Sequence, residues 1–205
     1  MDFQDIQAFQ DSLTQFGIGG NDLALYIGYE PVYRYMTGFR NIEEKIPVDR
    51  DTMYQMFSMT KPVTCIAAMQ LFEKGKFLLN DPLCEYLPAF SDMKVRVGKN
   101  PQGICRTDEE TLYFREPSRP IEIQDLFRMQ AGLGLRTLKS RAASGAAGPV
   151  GECGWNGAWG TYTIFDPENR FTLVFCEQAS QTSNFVQRRL RNLSYAALEW
   201  AGILS

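Results

Sequence analysis

Apolar residues recur at three- and four-residue spacing from Phe3 through Ile6, Phe9 and Leu13 to Phe16, which predicts an amphipathic helix that "GIGGND" terminates. The pattern then changes. "LALYIGYEPVYRYMTGFRN" is two β-rich runs around "YEP" and predicts an antiparallel hairpin. Asp51 to Phe57 is a short approach segment, and Met59 to about Lys74 predicts a helix, because Pro62 is tolerated only in a first turn and Gly75 stops the run. Apolar side chains cover most of the circumference of that helix, the mark of a buried one.

Residues 79 to 120 form a connection rich in Pro, Gly and Asp with room for one short pair of strands, and "IEIQDLFRMQAG" predicts a short helix after it. "LGLRTLK" alternates like a strand, and "SRAASGAAGPVGE" reads as a hairpin loop of small residues. "CGWNGAWGTYTIFDPENRFTLVFCEQ" predicts two more strands with a turn at "DPEN". At the end, Phe185, Leu190, Leu193, Ala197 and Trp200 mark the apolar stripe of a terminal helix, with Arg and Asn opposite. The expectation is a single α+β domain over 1–205. Its antiparallel sheet carries the first and last helices on one face and the Ser58 helix on the other.

Composition adds mostly exclusions. With 205 residues, 44% hydrophobic and 22% charged, the chain has the make-up of an ordinary globular domain. A net charge of -3 attracts neither nucleic acid nor an anionic membrane, and Arg188, Arg189 and Arg191 read as a solvated helix face. No apolar run approaches a membrane span, and the acidic, amphipathic start differs from a signal peptide; the chain as given reads as cytoplasmic, or as a form from which a signal has gone. Cys65, Cys84, Cys105, Cys153 and Cys176 include no CxxC pair and read as buried free thiols. There is no histidine at all, which removes Ser-His-Asp, Cys-His and His-metal chemistry together. No metal and no cofactor is implied.

Within "MFSMTKP", Ser58 precedes Lys61 by three residues, so at a helix entrance the two side chains share a face one turn apart. Two readings fit. In one, Ser58 is a helix cap and Lys61 is solvated; in the other, a lysine held by a buried helix serves as the base of a serine nucleophile, with the first-turn amides favouring negative charge.

The surrounding sequence resembles the serine β-lactamase and penicillin-binding-protein superfamily, in particular the class C β-lactamase-like branch that includes family VIII carboxylesterases. The likeness runs through "DTMYQMFSMTKPVTCIAAMQLFEKGKFLLNDPLCEYLPAF" and returns in "GPVGECGWNGAWGTYTIFDPENRFTLVFCEQ". This group is marked by S-x-x-K and K-T-G motifs. The resemblance implies Ser58 as acyl-accepting nucleophile, Lys61 as its proton-handling partner, and Trp155-Asn156-Gly157 on the strand where K-T-G stands. It further implies an oxyanion hole from the backbone N–H groups of Ser58 and Ala158. Without the K-T-G lysine, a cation for a substrate carboxylate is missing, so esters should suffer less than penicillins.

One departure is large. "MQAGLGLRTL" passes straight from a segment resembling "HTSGL" into the following strand, so the family's helical region is expected to be missing near 131–134, together with its Tyr-x-Asn motif. No tyrosine inherits that place; Tyr54, Tyr113 and Tyr162 stand in other contexts. The expected activity is that of a slow, acyl-forming serine hydrolase on a small ester or β-lactam, and the surface uncovered by the missing region is expected to favour a homodimer. The alternative is an inert structural or binding module that keeps only the core of the fold.

Overall fold

The computed structural model describes residues 2–98, 112–128, 135–179 and 184–204. The expected junction near 131–134, and Cys105, lie outside them. The chain divides into two compact units, one of residues 1–67 and 130–205, the other of 68–129.

In the first unit, seven strands among the described residues form one sheet in the order β3-β2-β1-β9-β8-β7-β6, and its pairings are all antiparallel. These are β1 (Gly20–Ile27), β2 (Glu30–Asn41), β3 (Ile46–Pro47), β6 (Arg136–Thr137), β7 (Cys153–Asn156), β8 (Tyr162–Asp166) and β9 (Phe171–Glu177). The β1–β2 hairpin turns at Gly28 and Tyr29, and Gly28 takes a φ of +61° that a side chain would resist. Burial along β9 alternates at every residue, so Phe171, Leu173 and Phe175 face one way. They meet Leu23 and Leu25 of β1 and Ile164 of β8 under two helices, α1 (Gln4–Ser12) and α5 (Asn184–Trp200).

A buried polar triad ties α1 to the sheet. Gln10 is fully enclosed; its Nε2 donates to Asn21 Oδ1 at 2.8 Å, and Tyr33 Oη donates to Gln10 Oε1 at 2.8 Å. Each partner satisfies a group that would be costly to bury alone. After α1 the chain tightens into a 3-10 turn over Leu13–Phe16 and stops at Gly17 with a φ of +80°.

Three expectations need correction. The segment 153–177 holds three strands, since Gly157 to Gly160 break the first run. The buried face of α5 is Val186, Leu190, Ser194, Tyr195 and Leu198; Leu193 and Ala197 only border the core, Phe185 is exposed, and Trp200 is 94% exposed. That face follows four-residue steps turned away from the predicted stripe. Third, α2 (Thr60–Glu73) is not buried: Pro62 is its one buried residue, and Val63 and Ile66 stand 67% and 52% exposed. Apolar composition predicts burial only where another element supplies a covering surface.

The connection 138–152 contains α4 (Arg141–Ser144), capped by Ser140 Oγ, which accepts from Ala143 N at 3.2 Å. It joins antiparallel β6 and β7, as a hairpin loop should. Its small residues have a packing reason: a Cβ on Gly148 would stand 1.9 Å from Glu152 Oε2 and 2.9 Å from the Tyr195 ring. Beneath it, Arg191 of α5 is not part of a solvated face. Its Nε donates to Glu152 Oε2 at 2.9 Å and its Nη2 stands 2.6 Å from Oε1, with both side chains nearly enclosed.

The second unit holds the hairpin pair β4 (Val95–Gly98) and β5 (Leu112–Arg115), and α3 (Ile123–Phe127), whose start is closed by a reciprocal capping box between Glu122 and Asp125. No helix among the described residues is long and apolar enough to cross a membrane.

Candidate active site

Ser58 lies in a single 3-10 turn, Phe57–Met59, that leads directly into α2. Met59 of the turn is 5% exposed, and Pro62 in the first turn of α2 is buried. Entry to the 3-10 turn is strained: Phe57 has a φ of +47°, a left-handed conformation that costs a bulky residue roughly 1–3 kcal/mol. The Lys61 Nζ donates to Ser58 Oγ at 2.6 Å, and both residues are half-buried. Among the described residues these two side-chain atoms have hydrogen bonds only with each other.

The turn is fastened to the segment between β7 and β8 and to the residue after β9. Thr161, fully buried, donates from Oγ1 to the Met56 carbonyl at 3.0 Å, and Gln178 Nε2 reaches the Gln55 carbonyl at 3.3 Å. Gly157 makes the approach possible, because a Cβ there would lie 2.5 Å from the Met56 carbonyl oxygen and 2.1 Å from Thr161 Oγ1. Gly157→Ala is therefore expected to push the Ser58 turn away from Gly157, cost about 1–3 kcal/mol of stability and depress any Ser58-dependent turnover; urea unfolding and ester hydrolysis measure the two effects.

The Gly157 N–H is already engaged by the Thr161 carbonyl at 2.7 Å, whereas the N–H groups of Ser58 and Ala158 donate to no acceptor among the described residues. Ala158 is exposed, and Asn156 is half-buried at the end of β7. Trp155 is placed differently: the Arg136 guanidinium lies over its ring, 5.8 Å from the centroid. The structure thus brings together Ser58, Lys61 and the Gly157 backbone, with Ala158 next to it, and puts Trp155 under an arginine.

Sequence reasoning missed Thr161, the Phe57 conformation and the contact of Phe57 with Trp159, whose ring centroids are 5.0 Å apart. An aromatic residue beside each motif position was the visible signal. Of the tyrosines, Tyr162 is a core residue of β8 whose hydroxyl burial pushes up to about 12, and Tyr54 is likewise raised by burial, its hydroxyl enclosed without a hydrogen-bond partner. The side chain of Tyr113 lies outside the described residues. The described cysteines, Cys65, Cys84, Cys153 and Cys176, are free and half-buried, and burial raises the thiols of Cys65, Cys153 and Cys176.

A beta-lactamase family model matches residues 6–149, well over half of the chain. The chain belongs to the beta-lactamase family. It is 43% identical over 97 residues to an uncharacterized protein of Mycobacterium tuberculosis, covering 47% of this chain and 22% of that protein. It is 33% identical over 61 residues to Esterase EstB of Burkholderia gladioli, covering 30% of this chain and 16% of the esterase. The chain thus spans about a fifth of the length of these curated relatives. The solved structure of EstCE1, a hydrolase with promiscuous acyltransferase activity, superposes with a TM-score of 0.71 over 94% of this chain and 98% of that one at 13% identity. That likeness shows the shared fold: a seven-stranded antiparallel sheet with helices, the core of the family.

Proposed function

We propose that the chain is a serine hydrolase of esters that works through an acyl-enzyme on Ser58. The observation that carries this reading is the 2.6 Å Lys61–Ser58 hydrogen bond beside two backbone N–H groups that donate to no acceptor among the described residues. Esterase EstB among the relatives favours an ester over a lactam. In the first step the Lys61 amine takes the Ser58 proton as Oγ bonds to the ester carbonyl carbon. The carbonyl π electrons pass to oxygen, where the N–H groups of Ser58 and Ala158 stabilise the charge. Collapse of the intermediate breaks the carbon–alkoxide bond, and the leaving alkoxide takes its proton from Lys61. Water then releases the acid by the same route in reverse.

Among the described residues no tyrosine or carboxylate hydrogen-bonds to Ser58 or Lys61, and on this reading Lys61 alone activates the water. Acylation should therefore outrun deacylation. General acid-base help is worth about 10²- to 10⁴-fold, and its absence in the second step leaves a slow enzyme that accumulates acyl adduct. Mass spectrometry after exposure to p-nitrophenyl acetate or a penicillin should show an adduct on Ser58 that Ser58→Ala lacks, with a larger yield from the ester. No adduct and no turnover above the uncatalysed rate in either protein would instead favour an inert module.

A further inference from the structure

Two aromatic side chains adjoin the reacting pair and have no task in the chemistry above. Phe57 immediately precedes Ser58, and Trp159 immediately follows Ala158. Their ring centroids lie 5.0 Å apart with planes at 53°, and each residue remains 40% exposed. Neither belongs to the hydrophobic core of the sheet. A single exposed aromatic is ordinary on a protein surface. This pair differs because its backbone is held on both sides: Phe57 is kept at a φ of +47°, and the Trp159 carbonyl accepts the Ala179 N–H at 3.2 Å. Strain kept in place beside a candidate nucleophile points to a side chain that must face a set direction.

The placement also matches the two backbone donors. The N–H groups of Ser58 and Ala158 both lack an acceptor among the described residues, and each is one residue from a ring of the pair. A carbonyl oxygen lodged between those donors would bring the groups on its carbon within reach of half-open aromatic surface. We propose that Phe57 and Trp159 form a platform for an aromatic substituent of the ester, and so select aryl-bearing over short aliphatic substrates; this rests on the hydrolase reading. Such a substituent would cover apolar surface that an acetyl or ethyl group leaves wet, with an added edge or stacking contact between rings.

The test compares ethyl acetate, ethyl phenylacetate and benzyl acetate by titration of released acid, in the full chain and in Trp159→Ala, Trp159→Phe and Phe57→Leu. An aryl preference in kcat/KM of about five- to tenfold over ethyl acetate is expected on at least one side of the ester. Trp159→Ala and Phe57→Leu should erase that preference and Trp159→Phe should retain most of it. A preference that survives in Trp159→Ala, or none in the unaltered chain, overturns the platform while leaving the hydrolase reading intact. A second arm needs no turnover: in Ser58→Ala, saturation-transfer NMR should detect benzyl acetate and lose the signal when Trp159→Ala is added. Should the unaltered chain hydrolyse no ester, a Trp159-dependent NMR signal keeps the platform as a binding surface and discards the hydrolase. Its absence discards both.

Discussion

Lys61→Met is expected to reduce ester turnover by roughly 10²- to 10⁴-fold, the range general-base catalysis supplies, while leaving the fold in place. The side chain contributes one hydrogen bond from a half-buried position, so its loss should cost only about 1 kcal/mol of stability. Lys61→Arg separates two roles for the amine. A guanidinium can donate to Ser58 Oγ and keep it oriented, but it stays protonated and cannot take the serine proton. On the proposed mechanism the arginine variant is therefore nearly as slow as the methionine variant. Single-turnover acylation by stopped flow measures the step directly, and near-normal acylation in Lys61→Arg would assign Lys61 a positioning role in place of the base.

Arg191→Met is expected to have the largest effect on stability. Glu152 and Arg191 retain only 6% and 12% side-chain exposure, and removing the guanidinium leaves a buried carboxylate without its counter-charge. Breaking such a pair costs about 3–5 kcal/mol. For a domain of this size that is a fall of roughly 6–20 °C in Tm. The loss should depend on pH in a definite direction. Burial pushes the Glu152 carboxyl up, and the Arg191 guanidinium holds it part of the way back. Without the arginine the folded-state value rises further above that of the unfolded chain. Lowering the pH from 7 to 5 then protonates Glu152 in the folded state first, which returns stability to the variant; raising it removes that stability again. Denaturant unfolding at the two pH values should show the gap between Arg191→Met and the unaltered chain narrowing at pH 5. Adding Glu152→Gln to Arg191→Met should recover much of the loss at pH 7, since no charge is then left buried alone.

These two expectations rest on features that differ in how far the sequence announced them. Ser58 and Lys61 were legible because the spacing of a helix start and a family motif coincide, and three residues along one turn leave little freedom in where the side chains meet. Arg191 was misread. Three arginines within four residues of a terminal helix look solvated, and only the return of the 138–152 loop brings Glu152 under one of them. Sequence distance conceals that pairing, because the partners are 39 residues apart.

The same contrast holds for the larger elements. The helix over 60–73, the hairpin of β1 and β2, the short pair β4 and β5, and the terminal helix follow from local periodicity, caps and breakers, all contained within a few residues of each element. The sequence by itself therefore determined the α+β class, the lack of any histidine in these 205 residues, and the Ser-Lys pair at a helix entrance. Tertiary structure alone decided which faces are covered. It left α2 open although its composition is apolar, turned the buried stripe of α5, closed Glu152 around Arg191, and set the Ser58 turn against Gly157 with Phe57 and Trp159 beside it. The physical reason is that periodicity specifies which residues could be buried together, whereas burial itself is a property of two surfaces, and the second surface comes from distant parts of the chain.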